Sequence, residues 1–269
     1  MIEDEDIELL LNDLLDIYGY DFTSYSKASL KRRIIRLYSL DKFPSFAEFR
    51  YRVKTDEGYL KRFVEEITVN VTEMFRDPSF YKSVREEILP VLGTKPFIRV
   101  WHAGCSTGEE VFSMAILLKE ANLLKKSLLY ATDLNPSVLE KVRKGIFPLQ
   151  QMKQYSESYI ASGGVNDFSQ YYTANYGQAK FDRELSEKII ISTHNLVSDS
   201  SFNEFDLIFC RNVLIYFEKD LQDRVLKLFD ASLGSLGYLA LGTKETLKFS
   251  VIQHNFKQLN REKIWKKIV

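Results

Sequence analysis

The sequence predicts an α/β protein: an N-terminal all-helical domain, then an open parallel sheet covered by helices on both faces, with a small antiparallel β-subdomain inserted into it. Three observations predict this. Apolar residues recur at helical spacing through the first ninety positions. From Pro96 onward, short apolar strands alternate with helices. A Tyr-, Ser- and Gly-rich stretch at about 155–187 then interrupts the alternation. The corresponding domains are 1–76 and 77–269, the second carrying the insertion.

Ile7, Leu10, Leu11, Leu14, Leu15 and Tyr18 predict an amphipathic helix over 4–18. A second helix is predicted over 26–40, with Leu30, Ile34, Leu37 and Tyr38 inward and Arg32, Arg33 and Arg36 on the solvent-facing side. Ser45 and Glu48 form a capping-box pattern that opens a third helix, and Leu60, Phe63, Val64 and Ile67 mark a fourth. Asp77-Pro78 reads as an N-cap followed by proline at the first helical position, starting a helix that runs to Leu92. Strands are predicted at 97–101, 128–133, 188–193, 205–210 and 237–241, with intervening helices ending at Leu118 and covering 136–144 and 218–233. Apolar alternation around Asn260-Arg261-Glu262-Lys263 predicts a closing β-hairpin.

Hydrophobic residues at 45% and charged residues at 28% of 269 positions describe an ordinary globular chain. That excludes disordered, collagen-like and disulfide-scaffold classes. No apolar run reaches the ~18–20 residues needed to span a bilayer, and the acidic start Met1-Ile2-Glu3-Asp4-Glu5-Asp6 does not resemble an export signal. Cys105 and Cys210 read as reduced thiols. These features predict a cytoplasmic protein that is not membrane-embedded.

The balance of 37 basic and 37 acidic residues conceals a segregation. Residues 1–26 hold eight acids and no Lys or Arg, whereas 27–62 hold eleven bases and four acids. Such a patch can steer an acidic partner. It can equally consist of two oppositely charged helices that partly neutralise each other.

In open α/β sheets a ligand sits beyond the carboxyl ends of the strands. Here that places the loop 103–110, Asp133 and the residues after Cys210 around one site. The loop lacks Gly-x-Gly-x-x-Gly, and Glu109 and Glu110 stand where a helix N-terminus would otherwise receive pyrophosphate. Negative charge there disfavours a phosphate ligand. A ligand with an ammonium group and adenosine but no phosphate, S-adenosylmethionine, fits better. Asp133 would take the ribose diol, Asn195 the adenine edge, and Tyr216 would lie against the sulfonium. Each residue also has a local reading: Thr107-x-x-Glu110 as a capping box, Asp133 as an N-cap, Asn195 as a turn residue, and Tyr216-Phe217 as packing under a helix.

Four segments together resemble the CheR chemotaxis receptor methyltransferase family. They are Asn70-Val71-Thr72-Glu73-Met74-Phe75-Arg76-Asp77, Trp101-His102-Ala103-Gly104-Cys105-Ser106-Thr107-Gly108-Glu109-Glu110, Ala131-Thr132-Asp133-Leu134 and Phe209-Cys210-Arg211-Asn212-Val213-Leu214-Ile215-Tyr216-Phe217. The chain departs from the usual pattern at Glu73-Met74, His102 and Gly104-Cys105. The resemblance implies a helical domain joined to a Rossmann-like S-adenosylmethionine-dependent methyltransferase sheet with a small β-subdomain. It implies transfer of methyl to receptor glutamates, yielding γ-glutamyl methyl esters and S-adenosylhomocysteine. By position, Asn70, Thr72, Arg76, Glu110, Asp133, Asn195, Leu196, Asn212 and Tyr216 would line the cofactor, with Arg76 and Tyr216 nearest the methyl.

A glutamate side chain, with a reference pKa of about 4.3, is already ionised at neutral pH, so the transfer needs alignment and not a base. His102 and His194 are therefore read as structural, and no metal is invoked. The implied partner is the cytoplasmic helical bundle of a chemoreceptor, docked on Lys31, Arg32, Arg33 and Arg36. The segment 165–187 is shorter than in members that dock on a receptor's C-terminal pentapeptide, which predicts independence from that tail. Two other readings stand: a methyltransferase for RNA or a small molecule, and a cofactor-binding signalling module without catalysis. The neutral pI of about 6.9 and the absence of a recognisable RNA module predict no nucleic-acid partner.

Overall fold

The computed structural model describes residues 2–68, 71–259 and 261–269. Four helices come first: α1 (Asp4–Tyr18), α2 (Lys27–Leu40), α3 (Phe46–Thr55) and α4 (Glu57–Ile67). Their apolar stripes converge on one core, in which Leu10, Leu14, Ile34, Leu37, Phe49, Val53 and Phe63 are fully enclosed. The ends are set locally. Gly19 closes α1 in the left-handed region at φ 73°, Ser45 accepts from Glu48 N at 3.2 Å, and Asp56 accepts from Tyr59 N at 3.0 Å.

The segregated charges meet in this domain. Lys27 pairs with Glu8, Lys31 with Asp4, and Arg50 and Lys54 both with Asp13. Much of the basic segment thus neutralises the acidic first helix. Arg32 and Arg36 remain exposed on α2. Arg33 departs from the predicted solvent-facing side. It is half-buried, its Nη1 reaches the Glu66 carbonyl at 3.5 Å, and its guanidinium carbon lies 6.0 Å from the centre of the Tyr216 ring. Periodicity within α2 alone could not show that a second domain covers that flank.

A broken helix joins the domains: α5 (Pro78–Ser83), a π-helical turn (Val84–Ile88) and α6 (Leu89–Gly93). Pro90 lacks an N–H for the α-helical ladder, and the wider turn just before it accommodates the loss. Asp77 holds the predicted N-cap position ahead of Pro78, and its carbonyl accepts from Phe80 N at 2.9 Å. It does so in the left-handed region at φ 59° and without a side-chain cap bond, because its carboxylate goes to Arg211.

The sheet is built from β1 (Ile98–Ala103), β2 (Ser127–Asp133), β6 (Ile189–Thr193), β7 (Phe205–Cys210), β8 (Leu233–Leu241), β9 (Phe256–Gln258) and β10 (Ile264–Lys267), with β3 to β5 set apart. Its order is β6-β2-β1-β7-β8-β10-β9. The first five run parallel, and β10 is antiparallel to β8 and β9. Central strands are buried on both faces, as continuous apolar runs require. Val100, Leu129, Leu207 and Phe209 enter one core with α7 (Glu109–Glu120), while Trp101, Ile208, Cys210 and Leu239 enter the other with α11 (Lys219–Ser232). Residues β9 and β10 form the predicted terminal hairpin.

The second sheet has the order β3-β5-β4, all antiparallel, from β3 (Ile146–Pro148), β4 (Tyr172–Asn175) and β5 (Gln178–Phe181). It draws in β3, upstream of the predicted 155–187 interval, and Tyr155 and Tyr159 lie on the helix α9 (Met152–Ala161). The β4–β5 turn is only Tyr176-Gly177, both at positive φ, a geometry matched to strand twist. Among the described residues, no helix is long and apolar enough to cross a membrane.

Candidate active site

The strand order reverses between β1 and β7, and the cleft at their carboxyl ends is the switch point of the sheet. One wall is the turn after β1. Gly104 takes φ 74°, and a Cβ there would stand 2.6 Å from Val213 Cγ2, so a side chain would collide with the opposite wall. Gly104 N and Cys105 N both donate to the Thr132 carbonyl at 2.9 Å, tying the turn to β2. Ser106 N and Asn135 N donate to the two oxygens of Asp133 at 2.9 and 3.0 Å. Burial pushes the Asp133 carboxyl up from its ordinary range, while those N–H groups pull the other way. The cap of α8 (Pro136–Lys144) is Asn135, not Asp133.

The predicted capping box at Thr107 and Glu110 does not form. Gly108 occupies the N-cap of α7 at φ 98°, and Thr107 Oγ1 donates instead to Glu109 Oε2 at 2.6 Å. Glu109 turns into the interior, where burial raises its carboxyl above the usual range. Only Glu110 faces the cleft, because consecutive helical residues point about 100° apart. His102 Nδ1–H donates to Glu110 Oε1 at 2.9 Å, with the imidazole stacked on Phe209 at 4.6 Å. Arg211 Nη1 approaches Glu110 Oε2 at 3.6 Å.

The opposite wall is the loop after β7. Asn212 stands at φ 61°, a left-handed position that asparagine tolerates. Next to it the helical domain joins by a short backbone ladder. Ser26 N donates to the Tyr216 carbonyl at 2.8 Å, Glu218 N donates to the Ser24 carbonyl at 3.0 Å, and the Tyr25 and Phe217 rings meet edge-on at 4.8 Å.

Two adjoining cavities result. The larger, about 760 Å³, is lined by Tyr25, Ser26, Asp133, Asn195, Leu196 and Tyr216 among others. The smaller, about 470 Å³, is lined by Thr72, Arg76, Glu110 and Arg211 among others. Gly104, Ser106, Asn212 and Val213 border both. Asn212 Oδ1 and Ser106 Oγ, on the shared border, are buried without a hydrogen-bond partner, so both are available to a ligand.

The residues from 5 to 68 match the model for the CheR methyltransferase all-alpha domain, and those from 70 to 264 match the model for the CheR methyltransferase SAM binding domain. The chain belongs to the CheR methyltransferase family. It is 47% identical over 258 residues to a Pseudomonas putida protein provisionally named methyltransferase Cher3, covering 95% of this chain and 94% of that one. It is 31% identical over 231 residues to a chemotaxis protein methyltransferase of Listeria innocua, covering 85% of each chain. A chemotaxis protein methyltransferase 2 of Pseudomonas aeruginosa is 32% identical over 225 residues, covering 82% and 77% of the two chains. This CheR-family chain is an S-adenosylmethionine-dependent methyltransferase.

The residues present fit that cofactor. The larger cavity offers Asp133 for a ribose diol, and apolar walls at Leu134, Leu196 and Val213. The smaller one sets Glu110 against Arg211, a pair complementary to the ammonium and carboxylate of an amino-acid moiety, with Arg76 on the same lining. The nine positions carried over from the resemblance fall in these cavities, except Asn70, which lies outside the described residues. Asn195 also serves its local role, accepting from Val197 N at 3.0 Å.

Sequence reasoning missed four contributors. Arg211 and His102 orient Glu110, Tyr25 comes from the helical domain, and Glu245 underpins the loop after β7. A charged Arg at the end of an apolar strand was the one local signal. Cys105 and Cys210 are buried free thiols that burial raises well above their ordinary range, which removes them as nucleophiles.

Proposed function

We propose that this methyltransferase acts on glutamate side chains of a chemoreceptor's cytoplasmic helical bundle, forming γ-glutamyl methyl esters. The observation that carries the reading is the composite cleft, with Tyr216 on one edge beneath Arg33 of α2, and Arg32 and Arg36 exposed farther along the same helix. A cationic helix beside a methyl-transfer cleft suits an acidic helical acceptor. The Listeria and P. aeruginosa relatives are named chemotaxis protein methyltransferases, which supports methyl transfer in chemotaxis.

Bound S-adenosylmethionine supplies an electrophilic methyl whose sulfur leaves as a neutral thioether, so an ionised carboxylate can accept it without a base. Asp133 would hold the ribose end, and Glu110, braced by His102 and Arg211, would hold the ammonium end. Leu134, Leu196 and Val213 keep water from the apolar part of the cleft. Tyr216, its backbone fixed by Ser26, would face the cationic centre with its ring. Arg76, half-buried in the smaller cavity, orients the incoming carboxylate. This is catalysis by alignment. Docking uses α2 and does not require a receptor's C-terminal pentapeptide, a reading supported by the four-residue strands and two-residue turn of the β4–β5 hairpin. The setting is the cytoplasm, where such bundles lie.

The test is incubation of the purified chain with methyl-labelled S-adenosylmethionine and receptor cytoplasmic fragments, with and without their terminal pentapeptide. Label released by mild alkali and lost when acceptor glutamates are replaced by alanine supports the proposal. Alkali-stable label, label in RNA, or cofactor binding without transfer to any fragment overturns it.

A further inference from the structure

We propose that Glu245, which lines neither cavity but holds the backbone of the loop that does, is the positioning residue that sets cofactor affinity. Glu245 lies in the turn after β8 and is only 5% exposed. Its Oε2 accepts from Gly242 N at 2.6 Å and Asn212 N at 3.0 Å, and its Oε1 accepts from Val213 N at 2.9 Å and Ile215 N at 3.4 Å. Three of those four donors belong to the loop that walls both cavities.

The consequence is geometric and electrostatic. Asn212 is held in a left-handed conformation that directs its unpartnered Oδ1 to the border of the cavities. The amide N–H groups of residues 212, 213 and 215 are committed to the carboxylate behind the wall. A loop whose donors are spent in this way offers no anion-binding nest. What it presents to the cleft is the Asn212 acceptor and the Tyr216 ring, a wall suited to a cationic, phosphate-free ligand. Gly242 is part of the device. Its φ is not in the left-handed region, yet a Cβ there would stand 2.7 Å from Asn212 N and 2.8 Å from Glu245 Oε2. A side chain at 242 would therefore wedge the carboxylate away from the loop.

This inference rests on the cleft being the cofactor site. The test measures S-adenosylhomocysteine binding by calorimetry and steady-state methyl transfer for the full chain and for Glu245→Gln, Gly242→Ala, Asp133→Ala and Thr246→Val. Thr246 accepts from Lys248 N at 3.1 Å in the same turn and, among the described residues, bonds nothing in the cleft wall, so it controls for general loosening. Circular dichroism establishes that each variant is folded. Expected are at least tenfold weaker binding and a matching rise in KM for S-adenosylmethionine in Glu245→Gln and Gly242→Ala, with kcat at saturating cofactor within threefold of the parent and Thr246→Val unchanged. Weakening in Asp133→Ala but not in the two Glu245-directed variants overturns the role of Glu245 alone. Unchanged binding in Asp133→Ala overturns the site assignment. A fall in kcat at unchanged KM, or equal losses in Thr246→Val, also overturns the proposal.

Discussion

Arg211 donates through Nη2 to Asp77 Oδ2 at 2.6 Å and to the Arg76 carbonyl at 3.2 Å. The guanidinium carbon also sits 4.0 Å from the centre of the Phe80 ring. One buried cation thereby fixes the turn that carries Arg76 and braces Glu110 on the other side. Lysine keeps the charge but not the planar fork. Arg211→Lys is expected to lower stability by about 1–3 kcal/mol and to weaken S-adenosylhomocysteine binding, measured by urea unfolding and calorimetry.

Arg76→Ala and Tyr216→Ala are expected to behave differently. Arg76 lies outside the cores and Tyr216 is only partly buried at the edge of one, so the melting temperature should fall modestly at most, while turnover falls on the order of 10²-fold. Initial rates on a verified substrate, set beside thermal melts, check this. Near-normal turnover in either variant would remove its assigned role.

Cofactor binding should have an acid limb set in part by Asp133. Its carboxyl lies above the 3.8 of an unperturbed aspartate because it is buried. Only the carboxylate accepts two hydrogen bonds from a diol in addition to its backbone partners. Affinity for S-adenosylhomocysteine should therefore decline on acidification while ordinary aspartates are still ionised, and Asp133→Ala should flatten that limb. Calorimetry from pH 7.5 down to 4.5 tests it.

Asp13 makes the opposite pH prediction for stability. Hydrogen bonding to Arg50, with further help from Lys54, holds its carboxyl below the unfolded value of 3.8. Its contribution is complete above the unfolded pKa and is lost as pH falls through the lowered folded value. Asp13→Asn is expected to destabilise the chain by about 1–2 kcal/mol at pH 7. The gap between parent and variant should persist above pH 3.8 and close as pH falls below it in urea titrations.

Tyr25 links the domains through its edge-on contact with Phe217 beside the Ser26–Tyr216 hydrogen bond. Tyr25→Ala is expected to cost about 3 kcal/mol and to lower turnover as well, because the carbonyl of Tyr216 loses a fixed partner. Tyr25→Phe should be nearly neutral in both assays.

Much of the cleft was legible locally. The apolar runs ending at Ala103, Asp133 and Cys210 identify parallel strands, and the open-sheet rule then brings their ends together. Glu110 was legible as a charge at a helix start, though the same reasoning placed Glu109 beside it. Helical geometry separates the two, and burial of Glu109 followed from packing against the turn at Thr107. The outward reading of Arg33 failed for a related reason: an amphipathic stripe reports the core of its own domain and says nothing about a neighbouring one.

The sequence by itself determined the elements, the parallel sheet, the family and the cofactor class, because periodicity, capping residues and contiguous motifs are encoded within a few turns of chain. Tertiary structure alone decided that Arg211 reaches back to Asp77, that Tyr25 and Arg33 of the helical domain meet Tyr216, and that Glu245 underpins Asn212. Those partners stand 30 to nearly 200 positions apart in the chain, and a hydrogen bond or ring contact forms only when folding brings its atoms within a few ångströms. No local pattern records that distance; the packing of the two domains does.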